Sequence, residues 1–191
     1  MSYNIFFSSD HHMGHEGPYK TFTKDDGSLL RADLATNADE ADELMIQRHN
    51  AVVKPQDRVY FVGDFCFSKK HIRKAGRMNG RKVLVKGNHD VLELKEYLPY
   101  FDDVRGVHQF DGMVITHVPI HEQSLARWGF NVHGHLHANR VMVVDKGCIW
   151  GCSPADAPEI DPRYFNVSVE QINYTPISLE QVKKFKPKEI K

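Results

Sequence analysis

Apolar residues fall in short runs that end in polar tips. Ile5, Phe6 and Phe7 lie within Tyr3 to Ser8, and the chain then passes into Ser9-Asp10-His11-His12, which predicts a buried strand with polar residues at its carboxyl end. Asn37 followed by Glu40 has the spacing of a capping box. Ala38, Ala41, Leu44, Met45, Val52 and Val53 then trace one helical face up to Pro55, predicting a helix over about 38–53. Arg58 to Val62 is β-branched and aromatic and predicts a second core strand releasing Gly63-Asp64. Arg81 to Val85 repeats the design and ends in Lys86-Gly87-Asn88-His89-Asp90; Val91 to Leu98 then has helical spacing and stops at Pro99.

Strand, polar tip and helix in succession predict an α/β layered domain whose ligands lie outside the carboxyl ends of the strands. From about residue 103 the pattern changes to short strands. Asp111-Gly112 is a two-residue hairpin signal between Val104–Phe110 and Met113–His117. Phe130–His133, Val141–Val144 and Tyr164–Val169 follow as strands, and Ser178 with Gln181 opens a closing helix through about Phe185, with a basic tail over 183–191.

At 191 residues with 41% apolar content, the chain is expected to form a single domain over 1–191. Lys and Arg (25) balance Asp and Glu (25), so the overall field does not favour a nucleic-acid coat, and any such contact would be a local patch. Three cysteines, Cys66, Cys148 and Cys152, are too few for a disulfide scaffold or an all-cysteine zinc site. With no long apolar segment, the expectation is a soluble, cytoplasmic protein without a membrane partner. What departs from the ordinary is histidine, present 12 times.

The predicted strand tips carry, in order, Asp10-x-His12, Gly63-Asp64, Gly87-Asn88-His89-Asp90, His117 and Gly134-His135-Leu136-His137. Each short fragment alone is common in turns, whereas the ordered set places a hard oxygen or imidazole donor at every tip. Carboxylate with imidazole suits first-row divalent metals such as Mn, Fe, Zn or Ni, and the seven residues Asp10, His12, Asp64, Asn88, His117, His135 and His137 suffice for two ions if one carboxylate bridges them.

In this order the motifs resemble the calcineurin-like metallophosphoesterase superfamily, whose pattern is D-x-H, G-D, G-N-H-[DE], H and G-H-x-H. His15, the helix into Asn50 and the stretch Asn166-Val167-Ser168-Val169 with Pro176 resemble a compact bacterial and phage branch of predicted phosphoesterases. The resemblance implies a four-layer α/β/β/α sandwich. It also implies a first metal on Asp10, His12 and His137, a second on Asn88, His117 and His135, and Asp64 bridging both, with Mn2+ the first choice. His89 is then an unligated catalytic residue at the substrate phosphate, which Asn88 also adjoins, and the reaction is in-line attack on phosphorus by a metal-bridging hydroxide. Relatives of this kind often assemble as dimers or larger.

The sequence departs from the Ser/Thr protein phosphatase pattern at Gly63-Asp64-Phe65-Cys66-Phe67-Ser68, which lacks that branch's acidic residue and phosphate-gripping arginine. A phosphodiester of nucleotide or nucleic-acid type is therefore favoured over a monoester, because a monoester dianion is best held by a fixed arginine fork. The alternatives are a phosphomonoesterase or nucleotidase, and a non-catalytic metal-binding scaffold of the same fold. Eight Lys and Arg residues between 69 and 86 read either as a solvated helix face or as a rim that attracts polyphosphate. His15 reads either as a substrate contact or as a surface turn. His11, His121 and His133 flank ligand motifs as candidate orienting donors, and His49, His71 and His108 read as ordinary helix or strand residues.

Overall fold

Parallel pairing of the first strands brings their carboxyl ends to one edge. A computed structural model of the chain describes residues 3–24, 26–143 and 159–186. The first half runs β1 (Ile5–Ser8), α1 (Gly17–Lys20), α2 (Ala38–Val52), β2 (Arg58–Phe61), α3 (Lys69–Ile72), a 3-10 segment Arg73–Arg77, β3 (Arg81–Val85), α4 (Leu94–Tyr97) and β4 (Asp103–Arg105). The second half runs β5 (His108–Phe110), β6 (Met113–Ile115), a 3-10 segment Glu122–Arg127, β7 (Asn131–His133), β8 (Tyr164–Asn166), β9 (Ile177–Ser178) and α5 (Leu179–Phe185).

The result is a mixed α/β fold with two sheets, ordered β4-β3-β2-β1-β9 and β5-β6-β7-β8. β1 to β4 are parallel neighbours, with Ser8 opposite Phe61 and Phe61 opposite Leu84, so Ser9, Val62 and Lys86 leave the sheet on the same side. Alternation along these strands buries both faces of the larger sheet, as a parallel sheet requires. Phe6, Val59, Phe61 and Leu84 pack with Ala38, Ala41 and Met45 of α2. Phe7, Tyr60, Val62 and Val85 pack on the other face with Met113, Ile115 and Val132 of the smaller sheet. Each large side chain so removed from water contributes about 1.5–3 kcal/mol.

The two sheets meet at one seam. After β8 the chain crosses back to β1, where Ser168 forms an isolated parallel bridge with Ser9 and the Val169 amide donates to the Ser9 carbonyl at 3.0 Å. The run predicted as one strand over Tyr164–Val169 is therefore a strand followed by this crossing.

Other expectations are adjusted in the same physical terms. The run Val104–Phe110 divides between the sheets: Asp103–Arg105 pairs with β3, whereas His108–Phe110 pairs with β6 through the Asp111-Gly112 turn, both of whose residues have positive φ (51° and 69°). The predicted helix Val91–Leu98 shrinks to the single turn α4. The Val91 amide closes onto the His89 carbonyl and the Leu92 amide donates to the Tyr97 hydroxyl, so only four residues remain helical before Pro99. Asn37 caps α2 by accepting the Glu40 amide at 2.9 Å, but Glu40 turns its carboxylate to Thr36 instead of completing the box, while Ser178 and Gln181 make the full reciprocal pair on α5. Of the run Val141–Val144, only Met142 bridges, to Ile160; Val144, Cys148, Trp150 and Cys152 lie outside the described residues, as does the tail from 187.

Three of the eight basic side chains are matched to acids of neighbouring helices. Lys74 meets Asp42 and Asp39, Arg77 forms a fork with Glu43, and Lys69 meets Glu96 at 2.8 Å. For these three residues the pairings favour the reading as a helix face over the reading as a phosphate-seeking rim. Among the described residues no helix is long and apolar enough to cross a membrane.

Candidate metal centre

The tips of β1 and β2 continue side by side beyond the sheet: the Asp10 amide donates to the Gly63 carbonyl and the His12 amide to the Asp64 carbonyl, each at 3.0 Å. The tips of β6 and β7 do likewise, the Gly134 amide donating to His117 at 2.9 Å. Side chains are then turned inward by an unusual backbone. Asp10, His12, Asp64, His135 and His137 have φ of 58°, 48°, 53°, 69° and 49°, the left-handed region. Each such L-residue costs on the order of 1 kcal/mol or more and persists only where the surroundings hold it. Aspartate and histidine bear this conformation better than most residues.

All seven predicted ligands converge. Asp10, His12 and His137 form one group and Asp64, His117 and His135 a second, with ligand atoms in each group within 4.8 Å of one another. Asp64 faces both: its Oδ2 is 3.1 Å from His117 Nε2 and 3.8 Å from His12 Nε2. Asn88 joins the second group, its Oδ1 lying 3.1 Å from His117 Nε2.

The donors fit cations. Asp10 Oδ2 accepts from Ser9 Oγ (2.6 Å), Ser168 Oγ (2.8 Å) and the His135 amide (2.9 Å), while Asp10 Oδ1 is buried with no hydrogen-bond partner among the described residues. A buried carboxylate oxygen without a donor is costly unless a cation meets it. His117 Nδ1 faces the Val62 carbonyl at 2.8 Å and so carries the proton of the neutral ring, which leaves the Nε2 lone pair facing Asp64 Oδ2 and Asn88 Oδ1. Three acceptors pointing at one place are reconciled by a metal ion. Burial alone lowers His117, but Asp64, Asp10 and the Val62 carbonyl outweigh it and raise the ring above its ordinary value. Burial, the largest influence, raises Asp10 against the pull of His137 and His117, and lowers His12 well below the ordinary histidine range with help from Arg31.

Two glycines permit the approach. A Cβ on Gly87 would stand 2.1 Å from Asp64 Oδ1, and one on Gly134 would stand 2.0 Å from Ser9 Oγ and 2.4 Å from Asp10 Oδ2.

The supporting groups were largely missed in the sequence. Glu170 Oε1 accepts from Arg31 Nε at 2.8 Å and lies 3.1 Å from His137 Nδ1, fixing the ring so that Nε2 faces Asp10. Burial alone raises Glu170, but Arg31 and His137 outweigh it and bring the carboxyl to about 2. Fully buried Arg31 also donates to the backbone carbonyls of Asp10 and His11. Asp90, the last residue of the Gly87-Asn88-His89-Asp90 tip, accepts the amides of Asp64, Phe65 and Gly87 and so ties two tips together. The signal for Ser168 and Glu170 was their place within and beside the Asn166–Val169 stretch; nothing local marked Arg31.

His89 is exposed and makes no side-chain hydrogen bond to Asp90; its ring meets the Phe67 ring edge-on at 4.7 Å and the His12 ring at 5.6 Å. His15 lies beside the site, with its ring 6.0 Å from that of His12. The flanking histidines do not orient ligands. His11 turns to Ser8 Oγ and the Phe61 and Phe65 rings, His133 to the Gly134 carbonyl, and His121 caps the segment Glu122–Arg127. His49 and His108 sit in α2 and β5, and burial pushes the Cys66 thiol up to about 12, making it inert.

No family model matches the chain. It is similar to the uncharacterized protein MJ1445 of Methanocaldococcus jannaschii, at 30% identity over 188 residues covering 94% of this chain and 89% of that protein. The crystal structure of the protein of unknown function AQ665 from Aquifex aeolicus matches with a TM-score of 0.59 and 25% identity, covering 96% of this chain and 99% of that one.

Proposed function

The chain belongs to the family of the uncharacterized protein MJ1445, and from the site it carries we propose that it is a dinuclear metal-dependent phosphoesterase favouring phosphodiesters. The observation that carries this reading is the pair of His/Asp groups joined across Asp64, with His89 beside them and outside both groups. Two bound divalent cations, Mn2+ first with Fe, Zn or Ni also suited, supply charge against the phosphate and lower the pKa of an attacking water.

The chain's own residues do the rest. Asp10, His12 and His137 would hold one ion, and Asn88, His117 and His135 the other. Asp64, whose Oδ2 faces both His12 and His117, would serve both ions, and its Oδ1 is steadied by the His89 amide at 2.8 Å. The exposed His89 ring is free to place a proton on the leaving oxygen. The diester preference is supported by Arg31, which lies behind the site with its Nε and both terminal nitrogens committed to Glu170 and backbone carbonyls. The two stacked sheets with α2 outside the larger one support extending the α/β fold to a four-layer α/β/β/α sandwich.

The test is hydrolysis of bis(4-nitrophenyl) phosphate, 4-nitrophenyl phosphate and cyclic and linear nucleotides after chelation and reloading with Mn2+, Ni2+, Zn2+ or Mg2+. Metal-dependent diester hydrolysis, abolished in Asp64→Asn, is expected. Activity on monoesters alone overturns the diester preference, and no activity with any metal overturns the enzyme.

A further inference from the structure

Beside the Asp10, His12 and His137 group lies a cavity of about 310 Å³ whose walls are rings. Phe67 stands at its centre, stacked on His12 at 5.2 Å and met edge-on by His15 and His89, each at 4.7 Å. Phe22 closes the side, edge-on to His15 at 5.4 Å, and Pro18 completes the lining. We propose that this cavity seats a flat aromatic ring on the leaving-group side of the ester, either a nucleobase or a plain aryl group.

This rests on the phosphoesterase reading and adds the substrate class. Among the described residues no Lys, Arg, Asp or Glu lines the cavity; its polar edge is the imidazoles of His12, His137 and His89, where the phosphate belongs, and beyond them Phe67, Phe22 and Pro18 offer a phosphate no partner. An uncharged planar group does find partners, because edge-on and stacked contacts are what aromatic walls offer. His89 forms part of the wall, which places the leaving oxygen's substituent, and not the retained one, against Phe67 and Phe22. The adjoining groove of about 630 Å³ shares Phe22 and His137 but adds Lys24, Asp26 and Asn139, a polar surface that offers a ring less. Phe22 is 48% exposed, so its ring contributes little to the core and is available to a ligand. Of the two aromatic residues that follow Asp64, Phe65 is fully buried in the core, whereas Phe67 lines the cavity, and Phe22 joins it from a distant turn.

The first arm of the test is binding. The full chain loaded with diamagnetic Zn2+ is titrated with adenosine and, separately, with 4-nitrophenol, and ring contacts are read by saturation-transfer NMR. Contact from either ring, weakened in Phe22→Leu and lost in Phe22→Ala, is expected; adenosine alone identifies a nucleobase and 4-nitrophenol alone an aryl group. No contact in the wild type, or full contact in Phe22→Ala with its circular dichroism unchanged, overturns the proposal.

The second arm compares kcat/KM for bis(4-nitrophenyl) phosphate with that for the ringless diester glycerophosphoethanolamine. Phe22→Ala is expected to lower the ratio about tenfold or more, the usual consequence of removing a stacking platform. An equal loss on both diesters overturns the ring cavity and leaves the phosphoesterase standing. If the wild type hydrolyses neither, the phosphoesterase reading fails, and the binding arm alone decides the cavity.

Discussion

The Nδ1 of His137 and the Nε of Arg31 converge on one carboxylate oxygen, Oε1 of Glu170, at 3.1 and 2.8 Å. A single buried acid thereby aims a candidate metal ligand and neutralises a guanidinium fully removed from water. Glu170→Gln leaves Arg31 uncompensated, and a loss of about 3–5 kcal/mol in stability is expected. Metal affinity at the His137 group should fall about 10- to 100-fold. Urea unfolding and calorimetric metal titration check the two effects separately, and unchanged affinity in a folded variant would remove Glu170 from the site.

Asp10→Asn and Asp64→Asn separate the two ions. Asp10 Oδ1 faces one group only, so its replacement is expected to leave about one tight ion per chain, whereas Asp64 faces both groups and its replacement should lower affinity for both. Metal content after dialysis, read by elemental analysis, decides; identical stoichiometry in the two variants argues against a bridging role.

His89→Ala should retain both ions, since His89 stands outside both groups. Its kcat on a diester is expected to fall about 10²- to 10⁴-fold, the range for loss of a positioned proton donor. Full activity with metals bound would end the assignment.

Gly134→Ala should fold yet bind metal poorly. The added methyl would meet Ser9 Oγ and Asp10 Oδ2, the contacts that hold the Asp10 carboxylate in place. A crystal structure or metal titration with wild-type affinity would show that the loop yields more easily than its packing implies.

Acid sensitivity has a source away from the metal groups. His49, buried in α2 and stacked on Phe61, is lowered to about 4 by burial above all, with Lys82 adding to it against the Asn79 carbonyl. The unfolded chain takes up this proton near 6.5 and the folded one only near 4, so between those values the unfolded state binds more protons and stability falls as pH falls. The contribution is fully present above about pH 6.5 and is lost toward pH 4, amounting to about 3 kcal/mol. His49→Gln keeps a donor for the Asn79 carbonyl and removes the titration. Its urea midpoint is expected to change less than that of the wild type between pH 7 and 4.5, and parallel behaviour would refute the assignment.

Much of this protein was legible from one-dimensional pattern. Arg81–Val85 occurs as predicted and α2 to within a residue, because alternation and helical spacing report which face is buried. The candidate ligand set was legible because each member sits where an apolar run stops. Less legible was where runs divide. Nothing in Val104–Phe110 states that Arg105 and His108 belong to different sheets, because both sheets accept the same apolar and β-branched residues.

What the sequence determined by itself is the chemistry of the tips: which donors, in which order, each at a strand's end. Tertiary structure alone decided their geometry. It set the left-handed backbone at five candidate ligands, the bare Asp10 Oδ1, the Asp90 brace between two tips, and the pairing of Glu170 with Arg31, which is 139 residues away along the chain. It also decided that Phe22 and Phe67 face one cavity while Phe65 enters the core. The physical reason is range. Burial pattern and turn chemistry act over a few residues and are written locally, whereas a carboxylate's bare oxygen or a ring's open face depends on partners that only the closed fold brings within a few ångströms.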